Sequence, residues 1–290
     1  MADSNLRRVE TLGGLPPARG TVWVAWFMFF FLIAPSLIII PMSFGDLNEI
    51  YFPPRSLSLF LYREYFFESV WMETTFQSIK VAILSTMAGM FLGATAAYGI
   101  VRATFRGKKM LGALLLSPLF VPNIVIALGL YIYFARMGLQ GTTFCLVLGH
   151  TLFVTPFVMV VVMAALRGVD PNLEAAAKTM GAGRIYTFRR VTLPLLRPAL
   201  VTGGLFAFLM SFDELVISFF LSGFGTQTLP VKMYDSIVLE ISPVLSAISV
   251  LLTLLAFVIC VIITIFYNPD RRTRLRLTGE AETETKTTET

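Results

Sequence analysis

One histidine, two cysteines and few charges are spread over 290 residues, and each shortage removes a class of function. The cysteines, Cys145 and Cys260, lie far apart inside apolar runs; they form no disulfide framework and no CxxC metal spacing, and read as small hydrophobes. His150 alone cannot supply a catalytic set, and neither H-E-x-x-H nor G-x-S-x-G occurs. A G-x-x-x-x-G-K-[ST] phosphate loop is also missing, so the chain is expected to hold no nucleotide, cofactor or metal of its own. Only 14% of residues are charged while 56% are hydrophobic, which excludes an ordinary soluble domain. The mean hydropathy of +0.76 points to a bilayer. A net charge of +5 does not signal nucleic acid, because the basic residues sit beside apolar spans as orientation signals do.

Six apolar runs are present, at 22–42, 75–101, 110–134, 144–166, 198–222 and 243–267. Each is long enough to cross ~30 Å of hydrocarbon as a helix, so the expected fold is all-α and polytopic with six transmembrane helices. The first run exceeds a signal-peptide core and has no small-residue cleavage site after it. Basic clusters precede the first run (Arg7, Arg8, Arg19), follow the second (Arg102, Arg106, Lys108, Lys109), fill the loop after the fourth, and follow the sixth (Arg271, Arg272, Arg274, Arg276). By the positive-inside rule both termini and the 170–194 loop are expected to be cytoplasmic. The expected organisation is a leader at 1–21, a first helix with an extracytoplasmic loop at 22–75, a core at 76–267 and a disordered tail at 268–290. Within the acidic loop, 57–70 suits a short interfacial helix, either a lid of covered aromatics or part of a docking surface.

Polar groups inside the runs are few enough to take singly. Gly89-x-x-x-Gly93 permits close helix packing, on a weak signal. Pro118 and Pro122 free backbone carbonyls in the third run, which makes Asn123 either a cavity-lining residue or a packing hydrogen bond. His150 reads as structural rather than as a proton relay. Asp213-Glu214 interrupts the fifth run, and acids there face protein or water.

The stretch 170–194, DPNLEAAAKTMGAGRIYTFRRVTLP, is basic and punctuated by glycine. Asp170 caps a helix with Pro171 in its first turn, Gly181 and Gly183 end that helix, and a second helical run at 184–192 stops before Pro194. A short helix in a groove is a way for a partner's motion to enter a membrane domain that has no energy source of its own.

Glu174-Ala175-Ala176-Ala177, Gly181-Ala182 and Val191-Thr192-Leu193-Pro194 together resemble the EAA signature of permease subunits of type I ABC importers, and the likeness extends over 76–267. Ser211-Phe212-Asp213-Glu214-Leu215-Val216-Ile217-Ser218 and Gly225-Thr226-Gln227-Thr228-Leu229-Pro230 are most similar to the second permease subunit of the spermidine/putrescine class. The resemblance implies a second permease subunit, two ATP-binding subunits that hold ATP and Mg, an extracytoplasmic solute-binding protein, and a non-catalytic role for this chain. It assigns coupling to Leu173, Glu174, Ala175, Ala176, Ala177, Gly181 and Ala182, and the pathway to Asn123, Ser211, Asp213 and Glu214. Polyamines are the implied substrate; an opine, an amino-acid derivative, ferric iron or an aminophosphonate are alternatives, and a stand-alone secondary transporter or channel is the rival class. Two positions depart from the pattern. The family's usual glutamate position, counted back from Gly181, holds Ala175, with Glu174 about 100° round the helix from it. Asn123 stands where many relatives carry an acid.

Overall fold

In a computed structural model the described residues are 19–46, 52–239 and 242–266, and among them the regular structure is helical throughout. The expected 1–21 leader (except 19–21) and the whole 268–290 tail with its basic cluster lie outside the described residues. The helices are α1 (Arg19–Met42), α2 (Phe60–Phe67), α3 (Ser69–Arg102), α4 (Lys108–Leu116), α5 (Asn123–Arg136), α6 (Thr143–Gly168), α7 (Pro171–Thr179), α8 (Arg184–Thr187), α9 (Leu193–Phe212), α10 (Val216–Leu221), α11 (Leu229–Val238) and α12 (Val244–Phe266). In lipid a helix satisfies every backbone group within itself, which is why apolar sequence of this length takes this form.

The chain divides into two compact units, one drawn from 1–64 and 243–253, the other from 65–242 and 254–290. In the first, α1 presents almost all of its apolar side chains outward, and the hydroxyl of Ser246 donates to the Met42 carbonyl at 3.3 Å. Beyond α1, Ser43 and Tyr62 share a hydroxyl contact of 2.7 Å, and the Phe44 and Tyr62 rings lie 5.6 Å apart.

The second unit is built around α6. Its Leu146, Val154, Val158, Met159, Val162 and Leu166 are fully buried, a helix apolar on nearly every side and therefore central. It packs chiefly on α3 and α9. The contact with α3 is set by glycine: a Cβ on Gly93 would stand 2.8 Å from the Thr155 carbonyl oxygen, and one on Gly89 2.7 Å from Val154 Cγ2. The Gly89/Gly93 pair thus brings two backbones together as its spacing suggested. Near the far end of α3, Gln77 donates to Thr143 at 3.0 Å, and Trp71 lies under the Lys232 ammonium at 5.4 Å.

Among the described residues five helices are long and apolar enough to span a membrane, and a bent pair meets the same measure when its two parts are counted together, which would make six. The third run is not one helix: α4 passes through a 3-10 turn (Ser117–Phe120) into α5, and the two helical parts differ in direction by 101°. Val121, held extended at φ −90° and ψ 131° by the ring of Pro122 that follows it, makes the corner. The fifth run also departs from expectation. Residues 184–212 form one continuous helical run that ends at Phe212, and 216–221 is a separate short helix. Helicity does not stop before Pro194. A π turn (Phe188–Thr192) carries the chain from α8 into α9, the Leu193 N–H bonding back to the Phe188 carbonyl, and Pro194, which has no N–H to give, follows directly on this wider turn. The loop after the fifth run holds α11, whose Leu229, Pro230 and Val231 are buried and whose Leu229 N–H is received by Ser78 at 2.8 Å.

Candidate functional site

Two places gather the polar residues that the sequence singled out, one at each end of the helical run 184–212. At the first end, Asp170 caps α7 by accepting the Asn172 N–H at 2.9 Å, with Pro171 in the opening turn. The helix closes on Gly181, at φ 84°: Ala182 N–H reaches back to the Ala177 carbonyl and Gly181 N–H to that of Lys178, both at 3.0 Å. This paired closure requires a left-handed residue, which glycine supplies without strain.

The periodicity of α7 divides its residues between two faces. Glu174 and Ala177 are buried, whereas Leu173, Ala175, Ala176, Lys178, Thr179 and Met180 are exposed. Glu174, only 5% exposed, therefore shares the inward face with Ala177 and does not lie on the outward face with Ala175 and Ala176. Its Oε1 receives Arg102 Nε at 3.1 Å and Thr192 Oγ1 at 3.0 Å, and Tyr98 Oη lies 3.5 Å from its Oε2. Arg102 also donates through Nη2 to the Val169 carbonyl at 2.9 Å. The displacement of Glu174 by one residue has this consequence: Ala175 faces outward and the carboxylate faces in. A groove of about 810 Å³ opens beside the pair, lined among others by Tyr98, Lys178, Arg184 and Phe188.

At the second end, α9 stops at Phe212 and the acidic pair fills the gap before α10. Asp213 is exposed and Glu214 is 7% exposed. Glu214 Oε1 accepts the N–H groups of Val216 at 3.0 Å and Ile217 at 3.1 Å, an anion on the positive end of α10, and Oε2 receives Asn123 Nδ2 at 3.3 Å. The structure thus joins Asn123 to Glu214 and leaves Asp213 as the outward carboxylate. Ser211 is elsewhere: 2% exposed, it meets Ser85 and the Nδ1 of His150, both at 2.8 Å, while His150 Nε2 meets Ser218 at 2.9 Å. Ser211 is therefore enclosed by α3 and α6 within this chain and does not join the Asn123–Glu214 contact. The roles of Arg102, Thr192, Ser85 and Ser218 carry no signal in the sequence, because partners 18 to 126 residues distant meet only in the fold.

Residues 89–272 match the family described as "Binding-protein-dependent transport system inner membrane component". Among curated relatives, the spermidine/putrescine transport system permease protein PotC of Escherichia coli (strain K12) is 32% identical over 184 residues, covering 63% of this chain and 70% of the relative. The putrescine transport system permease protein PotI of the same organism is 31% identical over 231 residues, covering 77% and 82%. A crystal structure of a bacterial ABC transporter involved in the import of the acidic polysaccharide alginate superposes with a TM-score of 0.69 at 15% identity, over 88% of this chain and 100% of that one.

Proposed function

The chain belongs to the binding-protein-dependent inner-membrane transport components, the permease subunits of ABC importers, and from that premise we propose that it forms half of a translocation pathway for polyamines. The second half is another permease subunit, two ATP-binding subunits supply the energy and hold ATP and Mg, and a solute-binding protein delivers the substrate. Both termini and 170–194 face the cytoplasm, in keeping with the basic clusters around them.

The exposed face of α7 serves as the docking surface for an ATP-binding subunit: Leu173, Ala175, Ala176 and Met180 offer small and apolar contacts, and Gly181 and Ala182 close the element. Motion received there travels along 184–212, roughly 43 Å of continuous helix at 1.5 Å per residue, to the acidic break. Asp213 attracts the cationic substrate, and Glu214, fixed by two N–H groups and Asn123, sets the position of the break. The observation that carries the substrate reading is the outward Asp213 carboxylate at a helix break, in a chain about 30% identical to polyamine permeases.

The test is uptake of labelled putrescine and spermidine into vesicles containing this chain with its permease partner, ATP-binding subunits and binding protein. Uptake that needs both ATP and the binding protein is expected. Transport by this chain alone without ATP would overturn the importer role, and ATP-driven uptake of other solutes but not polyamines would overturn the substrate.

A further inference from the structure

We propose that Glu174 and Arg102 are positioning residues: their buried ion pair fixes α7 to the end of α3, so the docking surface is oriented by this chain's own clamp and Glu174 makes no contact with the ATP-binding subunit. The inference rests on the permease reading and adds to it how the docking helix is held.

The geometry supports a clamp. The side chains of Arg102 and Glu174 are 14% and 7% exposed, so the pair is largely withdrawn from water. Four segments converge on it: α3 through Tyr98 and Arg102, the end of α6 through the Val169 carbonyl, α7 through Glu174, and the π turn through Thr192. The Tyr98 ring also meets Phe188 edge-on at 5.1 Å, tying the same two segments through carbon. α7 has nine residues and few apolar groups facing inward, since Glu174 and Ala177 are its only buried positions. Apolar burial alone therefore holds it weakly, and the orientation of its outer face depends on the carboxylate. Removing either partner would leave a buried charge without its counterion, which makes the placement of α7 depend on both residues.

The experiment uses the complete transporter in vesicles with its binding protein and putrescine as the probe, and reads three quantities: copurification of the ATP-binding subunits, ATP hydrolysed, and putrescine imported. Glu174→Gln keeps the shape of the side chain and removes its charge. It is expected to copurify normally and to hydrolyse ATP within about twofold of the parent, while ATP consumed per putrescine rises about tenfold. Arg102→Gln should do the same, and the exchanged pair Arg102→Glu with Glu174→Arg should recover coupling to within about threefold. A normal ratio in both single variants would overturn the proposal. So would loss of hydrolysis, uptake and copurification in proportion, which is the mark of a merely structural staple, and so would an exchanged pair no better than the singles. If the parent complex shows no ATP-driven putrescine uptake, the importer reading has failed separately. The clamp is then read by amide hydrogen exchange over 171–180, expected to quicken about tenfold in Glu174→Gln and overturned if unchanged.

Discussion

The His150 imidazole and the Ser211 hydroxyl meet at 2.8 Å, and the other ring nitrogen meets Ser218 at 2.9 Å, so one buried ring spans the break between α9 and α10 from both sides. His150 is 1% exposed and a fully satisfied polar bridge. The ring thereby links the helix before the Asp213-Glu214 gap to the helix after it.

Replacing that ring by an apolar side chain of similar size tests the brace. His150→Leu leaves the Ser218 hydroxyl buried without this partner and should cost about 1–3 kcal/mol. For a chain of this size the loss corresponds to a melting temperature lower by several degrees, roughly 2–4 °C per kcal/mol, in detergent-solubilised protein. An unaltered melting curve would show that the bridge braces nothing.

The two acids should separate on substitution. Asp213→Asn removes an exposed carboxylate, so thermal stability should hold while putrescine uptake falls severalfold. Glu214→Gln weakens an anionic cap on two N–H groups and should cost about 1 kcal/mol in stability. Equal uptake in parent and Asp213→Asn would remove that carboxylate from the pathway.

Gly181 tests the closure of α7. Its φ of 84° suits glycine or asparagine, and an added Cβ would meet nothing of this chain within 4 Å, so the cost that this chain sets on a Cβ there is backbone strain. Gly181→Val should strain the turn by about 1–2 kcal/mol and raise ATP consumed per solute imported, whereas Gly181→Asn should leave the ratio near that of the parent. Indistinguishable ratios in the two variants would refute the dependence on this turn.

A pair of glycines on α3 should respond with opposite signs. Gly93→Ala pushes a methyl group against the Thr155 carbonyl and should destabilise by about 1–3 kcal/mol. Gly99→Ala meets nothing within 4 Å in the same helix and should stabilise by about 0.5–1 kcal/mol. Melting temperatures of the two variants in one detergent decide the matter.

The spans were legible because bilayer thickness imposes a length that composition reveals directly. Asp170, Pro171 and Gly181 announced the ends of α7, since caps and left-handed residues are local chemistry. Glu174 was legible only halfway: its offset from the usual position could be counted, but the inward face became known once Arg102 and Thr192 were seen to meet it. The corner at Val121 and the gap after Phe212 were marked by proline and by acids, yet an apolar run gives no sign of whether a break bends the helix or ends it. The helix α11 was hidden because it is short and amphipathic in a stretch mixed in polarity.

The π turn at Phe188–Thr192 has a consequence for any comparison of residues along 184–212. Its bonds close over five residues where an α turn closes over four, so the backbone carries one residue in excess. A helical wheel drawn through the whole run is then out of phase by about 100° on one side of the turn. Arg184 and Ile185 cannot be projected onto the same stripes as Leu196 or Gly204 by counting in sevens. Deleting one residue from the turn would rephase the two segments and rotate α8 against α9 without altering a single side chain of either.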